Sequence, residues 1–204
     1  QIEVTTAMMI LDSYMGYEAL AIRPNIDSKN IGITGWSLGG GVALYSAWNP
    51  INNAINQDVK FAAHLPIYPP CIVTPNLLDF GESPIHILIG ELDNWTPAEA
   101  CQELVDRADN NIDLTIYEGA HHSFDGNANI SVNENGYILE DCRFRMKSDG
   151  TILMNLFNLP MTHPLLQKIG LFMCARRGPT YGRNDSAKIK SFNFSQSFMN
   201  THLH

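Results

Sequence analysis

The run Gly35-Trp36-Ser37-Leu38-Gly39-Gly40-Gly41 constrains this chain more than any other stretch. It sets a serine among glycines, between an apolar strand-like run at 31–34 and a helix-like run at 42–48. The spacing Gly35-x-Ser37-x-Gly39 is that of a nucleophile elbow, a sharp strand-to-helix turn that lifts a serine hydroxyl above the end of a sheet. Small residues are needed on either side because the helix must start close to the strand. The pattern alone arises by chance in about 7% of chains this long. The weight therefore falls on context: strand, turn and helix come in the required order.

The surrounding sequence supplies the rest of a sheet. A helix is expected over 5–22, with Met8, Ile10, Leu11, Met15, Leu20 and Ile22 apolar and Pro24 closing it. Strands are expected at 31–34, 61–68, 84–90 and 114–117. The near-continuous apolar character of 84–90 suits a parallel sheet buried on both faces. A helix over 97–109 reads as capped by Thr96, with Pro97 at N1 and Glu99 at N3 of a capping box. Alternating strand and helix to about residue 120 gives an α/β fold. Beyond it the pattern changes to a polar loop at 125–136, a small hairpin within 142–157 turning at Ser148-Asp149-Gly150, and a terminal helix from Asp185 to about Leu203. The expectation is one domain over 1–204, with 126–184 as a loop and hairpin extension before the terminal helix.

Charge and cysteines narrow the chemistry. A net charge of −8, from 13 basic and 21 acidic residues, argues against a nucleic-acid partner. No apolar run reaches membrane-span length, and the opening residues carry no leader signature, so no membrane partner is expected. The chain starts with Gln, from which an upstream portion is expected. Cys71, Cys101, Cys142 and Cys174 fit neither zinc nor C-x-x-C spacing, so neither metal nor redox cofactor is called for. They are either free buried thiols or two disulfides, and in the second case the pairs are 71–101 and 142–174: neighbouring strands bring the first two together, and the second two bracket the hairpin. Paired cysteines favour a periplasmic or secreted location.

A serine alcohol is a poor nucleophile at neutral pH and needs a base, itself oriented by a carboxylate. The chain order Ser, acid, His is available at three strand ends: Ser37, Asp93 just past 84–90, and His122 just past 114–117. Open α/β sheets place their sites at those ends. Each residue alone has an ordinary reading, as a loop serine, a turn aspartate or one of 7 histidines. Together they make a catalytic triad. Glu91 and Asp125 are the rival acids, while His64 and His86 read as core histidines.

The segments GWSLGG, GELDNWTPAEAC (90–101) and YEGAHHSFD (117–125) resemble the signatures of the dienelactone hydrolases, a branch of the α/β-hydrolase superfamily, in the same order. The resemblance spans roughly residues 10–125, and the tail at 174–182 also looks like longer members. It implies an α/β-hydrolase fold, a mostly parallel sheet flanked by helices, with amino-terminal strands expected to be missing because so little precedes Ser37. By position it makes Ser37 the nucleophile, Asp93 the acid and His122 the base, with His121 at a variable place. Ser37 stands where chlorocatechol-pathway members carry cysteine, so their lactone substrate does not transfer. The implied activity is hydrolysis of a small-molecule carboxylic ester or lactone. Leu38 N–H is expected as one oxyanion-hole donor, the second donor being absent with the upstream strands. Trp36 and Trp95 are candidates to line an acyl pocket. The competing readings are a non-catalytic binding protein of the same fold, and an acyltransferase or peptidase using the same triad.

Overall fold

The structure is a computed structural model that describes residues 5–55, 59–108, 112–155 and 157–203. Residue 109 of the expected helix, residue 156 of the expected hairpin region and the opening residues 1–4 lie outside the described residues. In chain order the first part comprises α1 (Thr6–Ala21), β1 (Ile33–Trp36), α2 (Leu38–Tyr45), α3 (Asn49–Ile55), β2 (His64–Ile67), β3 (Val73–Pro75), β4 (Ile85–Gly90), α4 (Ala98–Arg107) and β5 (Ile112–Tyr117). The second comprises β6 (Ser131–Val132), β7 (Tyr137–Ile138), β8 (Phe144–Met146), β9 (Ile152–Leu153), α5 (Pro164–Phe172), β10 (Arg176–Arg177), β11 (Thr180–Tyr181) and α6 (Asp185–His202).

The central sheet runs β1-β2-β4-β5, every pairing parallel. Its β2 and β4 strands are buried nearly throughout, as their apolar runs require. Strand β1 ends two residues later than the sequence suggests. Its register carries Trp36 opposite Ile67, and Ser37 N–H donates to Ile67 O at 3.0 Å, so pairing continues right up to the elbow. Right-handed crossovers in one direction put α2 and α4 on the same face of the sheet. On the other face α6 packs the ring of Phe194 at 4.2 Å from that of His86, and closes Met199 and Leu203 over Gly32.

If strands were missing before residue 30, apolar surface would be expected on the elbow helix and the strand before it. The strand does end in exposed Trp36 and the helix opens on exposed Leu38, but the body of the helix is covered. Residues Gly40 to Tyr45 of α2 are buried, because α1 lies across it with Ile10 and Tyr14 inward and the Tyr14 hydroxyl donating to Ser46 O at 2.8 Å. The outer face of α1 is exposed as well, with Met15 58% accessible, as is Ile22 just past its end at 84%.

The tail is built from very short pairings. The expected hairpin forms as β8 and β9, and β3 joins it in parallel to make a three-stranded sheet. Strand β10 pairs with β7 and β11 with β6, both antiparallel. The helix α5 has no counterpart in the sequence reading, whereas α6 starts where expected, its N-cap Asn184 accepting Ala187 N–H at 3.0 Å. Both expected disulfides are present: Cys71–Cys101 with Cα atoms 5.0 Å apart and Cys142–Cys174 with 5.1 Å. No described helix is long and apolar enough to cross a membrane.

Candidate active site

Ser37 sits at φ 53°, ψ −118°, a conformation that L-residues adopt at a cost of order 1–3 kcal/mol. Packing imposes it. A Cβ on Gly35 would lie 2.2 Å from Gly39 O, and one on Gly40 would lie 2.6 Å from Ile67 O, so neither position tolerates a side chain. Gly39, the last glycine of the motif, has open space where a Cβ would be. Its backbone, not its missing side chain, makes the close approach. Ser37 precedes α2 without capping it, which leaves the hydroxyl free.

That hydroxyl lies 3.0 Å from His122 Nε2. On the other side of the ring His122 Nδ1–H donates to Asp93 Oδ2 at 2.7 Å. Asp93 is acceptor-rich and fully used: Oδ1 accepts the N–H groups of Trp95 at 3.0 Å and Thr96 at 2.8 Å, and Oδ2 also accepts the Thr96 hydroxyl at 2.9 Å. A carboxylate so held stays an acceptor, which fixes the proton on Nδ1 and leaves Nε2 a lone pair aimed at Ser37. Sequence reasoning assigned Thr96 to capping α4. In the structure the cap position is Pro97, and the Thr96 hydroxyl turns inward to the buried carboxylate, within 3.0 Å of His122 Nδ1 and 3.1 Å of Tyr68 O.

His122, although at a strand end, is buried, 3% accessible. Two aromatic rings cover it, Tyr68 at 4.6 Å and Trp95 at 5.0 Å between ring centres. Tyr68 is the residue that sequence reasoning missed. It directly follows β2, the same strand-end layer as the other three, and its hydroxyl donates to Asp125 Oδ1 at 2.7 Å. Its position one residue past a parallel strand was the available signal.

The rival groups lie elsewhere. Glu91 accepts Gly119 N–H at 2.9 Å, Asp125 is engaged by Tyr68, and His121 Nδ1 is 3.1 Å from Leu92 O. His64 is buried under α2 with Nδ1 2.9 Å from Ala43 O, and burial pushes its pKa down to about 4 against the raising effect of that bond. His86 is also lowered by burial, partly offset by Asp113. Trp36 projects from the end of β1, 48% accessible, and Leu38 opens α2, where its N–H has no acceptor within the helix.

The dienelactone hydrolase family model matches residues 3–143. The chain belongs to the dienelactone hydrolase family. Solved structures similar to it include esterase 2 of Thermogutta terrifontis phosphoramylated by tabun, 22% identical over 60% of this chain and 57% of that one with a TM-score of 0.51. Others are the Pyrococcus furiosus esterase Pf2001, 19% identical over 59% and 56% with a TM-score of 0.44, and the F65L variant of Arabidopsis thaliana SOBER1, 19% identical over 59% and 58% with a TM-score of 0.46. The chain thus spans less than two thirds of the length of the solved structures it matches. No curated protein matches it. The likeness to the Thermogutta structure shows the fold, an α/β-hydrolase sheet flanked by helices. Among the described residues of this family member, no group of three or more His, Cys, Asp or Glu is placed to hold a metal ion.

Proposed function

We propose that this chain carries the catalytic centre of a serine hydrolase that cleaves a small-molecule carboxylic ester or lactone. The observation that carries this reading is the unbroken chain Ser37 Oγ to His122 Nε2 at 3.0 Å and His122 Nδ1 to Asp93 Oδ2 at 2.7 Å. Ser37 Oγ attacks the ester carbonyl while His122 Nε2 takes its proton. Asp93 holds the imidazole in the productive tautomer and stabilises the imidazolium without being protonated. Leu38 N–H, at the positive end of α2, faces the oxyanion, an interaction of about 3 kcal/mol per donor. His122 returns the proton to the departing alkoxide oxygen, leaving an acyl-serine. Water, deprotonated by the same Nε2, attacks that ester and releases the acid and Ser37. Trp36 and Trp95 flank the nucleophile and the base and supply apolar surface for the substrate. The two disulfides favour an oxidising compartment.

Hydrolysis of p-nitrophenyl esters, with Ser37→Ala as control, tests the reading. Turnover that Ser37→Ala abolishes supports it, and turnover that survives the substitution refutes it. Added alcohols or amines that divert the acyl group into new esters or amides would make the reaction acyl transfer.

A further inference from the structure

The family match ends at residue 143, yet residues beyond it reach the neighbour of Asp93 and the backbone of His122. Asn94 follows Asp93 directly. Its Oδ1 accepts Thr180 N–H at 2.9 Å and its backbone carbonyl accepts Leu139 N–H at 3.0 Å. On the base side, His122 pairs with Tyr181 in a parallel bridge, and its carbonyl accepts Gly182 N–H at 2.9 Å. One extended segment, 180–182, is therefore bonded both to the acid's neighbour and to the base itself.

That segment is anchored in turn. Strand β11 pairs with β6 and β10 with β7, and Cys142 and Cys174 join the chain just past β7 to the chain just before β10. There is no slack in the packing: a Cβ on Gly136 would meet Pro179 Cγ at 2.7 Å and Trp95 Cζ2 at 3.2 Å, and one on Gly182 would meet Ile130 Cα at 2.5 Å. The acid and base loops also bond to each other nearer the strands, through Leu92 N–H to Ala120 O at 2.9 Å. The tail holds them a second time, at the level of the reacting side chains.

We propose that Asn94, Thr180 and Gly182 form a positioning clamp that sets the Asp93–His122 geometry, and that the Cys142–Cys174 bridge keeps it closed. This rests on the catalytic reading of Asp93 and His122. Asn94 is a positioning residue: it touches no reacting atom and acts through the placement of Asp93. Reduction by a dithiol, which passes two electrons and two protons to the bridge and is itself oxidised to a disulfide, converts Cys142 and Cys174 to thiols and unties the clamp.

Asn94→Ala in the full chain is expected to lower kcat for a p-nitrophenyl ester about tenfold or more, since sub-ångström misplacement carries costs of this order. KM and the thermal midpoint hold. Asn94→Asp keeps an acceptor oxygen for Thr180 N–H and is expected to recover most of the loss. The pair Cys142→Ser with Cys174→Ser lowers kcat in the same way, and dithiol lowers kcat of the wild type but not of that variant. The dithiol comparison decides the matter if Asn94→Ala fails to fold. Wild-type kcat in Asn94→Ala, a kcat loss that only tracks the thermal midpoint, or equal dithiol sensitivity in both proteins would overturn the clamp. Loss of the catalytic reading has a different signature, a wild-type chain whose ester turnover Ser37→Ala does not change, and the clamp would fall with it.

Discussion

The nucleophile side and the acid-base side of the site are held by different forces. Ser37 is fixed by backbone packing: Gly35 against Gly39, Gly40 against Ile67 O, and a Ser37 N–H bonded to β2. Its side chain has one partner, His122. Asp93 and His122 are fixed by side-chain bonds, four into the Asp93 carboxylate and two aromatic rings over the imidazole. The nucleophile must stay free to attack, so its order comes from the main chain. In the proposed mechanism the acid and base act by orientation, which saturated hydrogen bonding supplies. The same contrast runs through the sheet: β1 is an edge strand ending in exposed Trp36, whereas the loop after β5 is covered by the tail.

The contrast implies that the acid-base side breaks through chemistry and the nucleophile side through stability. The largest effect is on chemistry. His122→Ala is expected to lower kcat/KM by about 10⁴-fold or more and Asp93→Asn by a similar order. His121→Ala, whose ring faces Leu92 O, is expected to change it little. Steady-state ester hydrolysis checks all three, and an inactivating His121→Ala would reverse the assignment of the base. Next comes Gly35→Ala, which forces a Cβ to 2.2 Å from a backbone oxygen and is expected to cost about 3 kcal/mol or more, in the range of overpacked cores. Gly39→Ala, with open space at its Cβ, is expected to be neutral or to add up to about 1 kcal/mol through helix propensity. Denaturant unfolding distinguishes them.

These two glycines also show what a sequence can carry. The elbow is contiguous, so its pattern announces Ser37, and strand ends read from apolar runs announce Asp93 and His122. The motif does not say which glycine is sterically required, because that depends on where Gly39 O and Ile67 O arrive after folding. Tyr68 and Thr96 escaped for the same reason: their contacts to His122 join loops after different strands. Thr96 was misread because Thr-Pro-x-Glu favours a cap locally, and only the folded chain offers the buried carboxylate that its hydroxyl meets. The tail was least legible. Apart from the β8–β9 hairpin, its strands are two residues long and pair with partners tens of positions away, Arg176 with Ile138 and Thr180 with Val132, so no periodicity builds up.

Smaller effects are expected on each side of the site. His64 supports the nucleophile side by bonding Ala43 O in α2, and its pKa of about 4 in the fold lies below the unfolded value near 6.5. The neutral form is the one the fold accommodates. Its contribution is complete above pH 6.5 and is lost as pH falls from there toward 4, by about 3 kcal/mol in all. Thermal midpoints between pH 7 and 4 should fall accordingly, and His64→Asn should flatten that slope. On the acid-base side, the Tyr117 hydroxyl is buried with no hydrogen-bond partner among the described residues, and burial raises its pKa to about 12. Tyr117→Phe is expected to leave activity unchanged and to stabilise by up to about 1 kcal/mol, measured by urea unfolding.

In the proposed mechanism main-chain packing presents Ser37 as a nucleophile and His122 activates it. A serine-directed fluorophosphonate followed by peptide mass spectrometry tests this most directly. One equivalent of phosphonate is expected, all of it on Ser37, with labelling slowed by orders of magnitude in His122→Ala while that variant unfolds at the wild-type temperature. Label on another serine, or Ser37 labelled equally fast without His122, would contradict it.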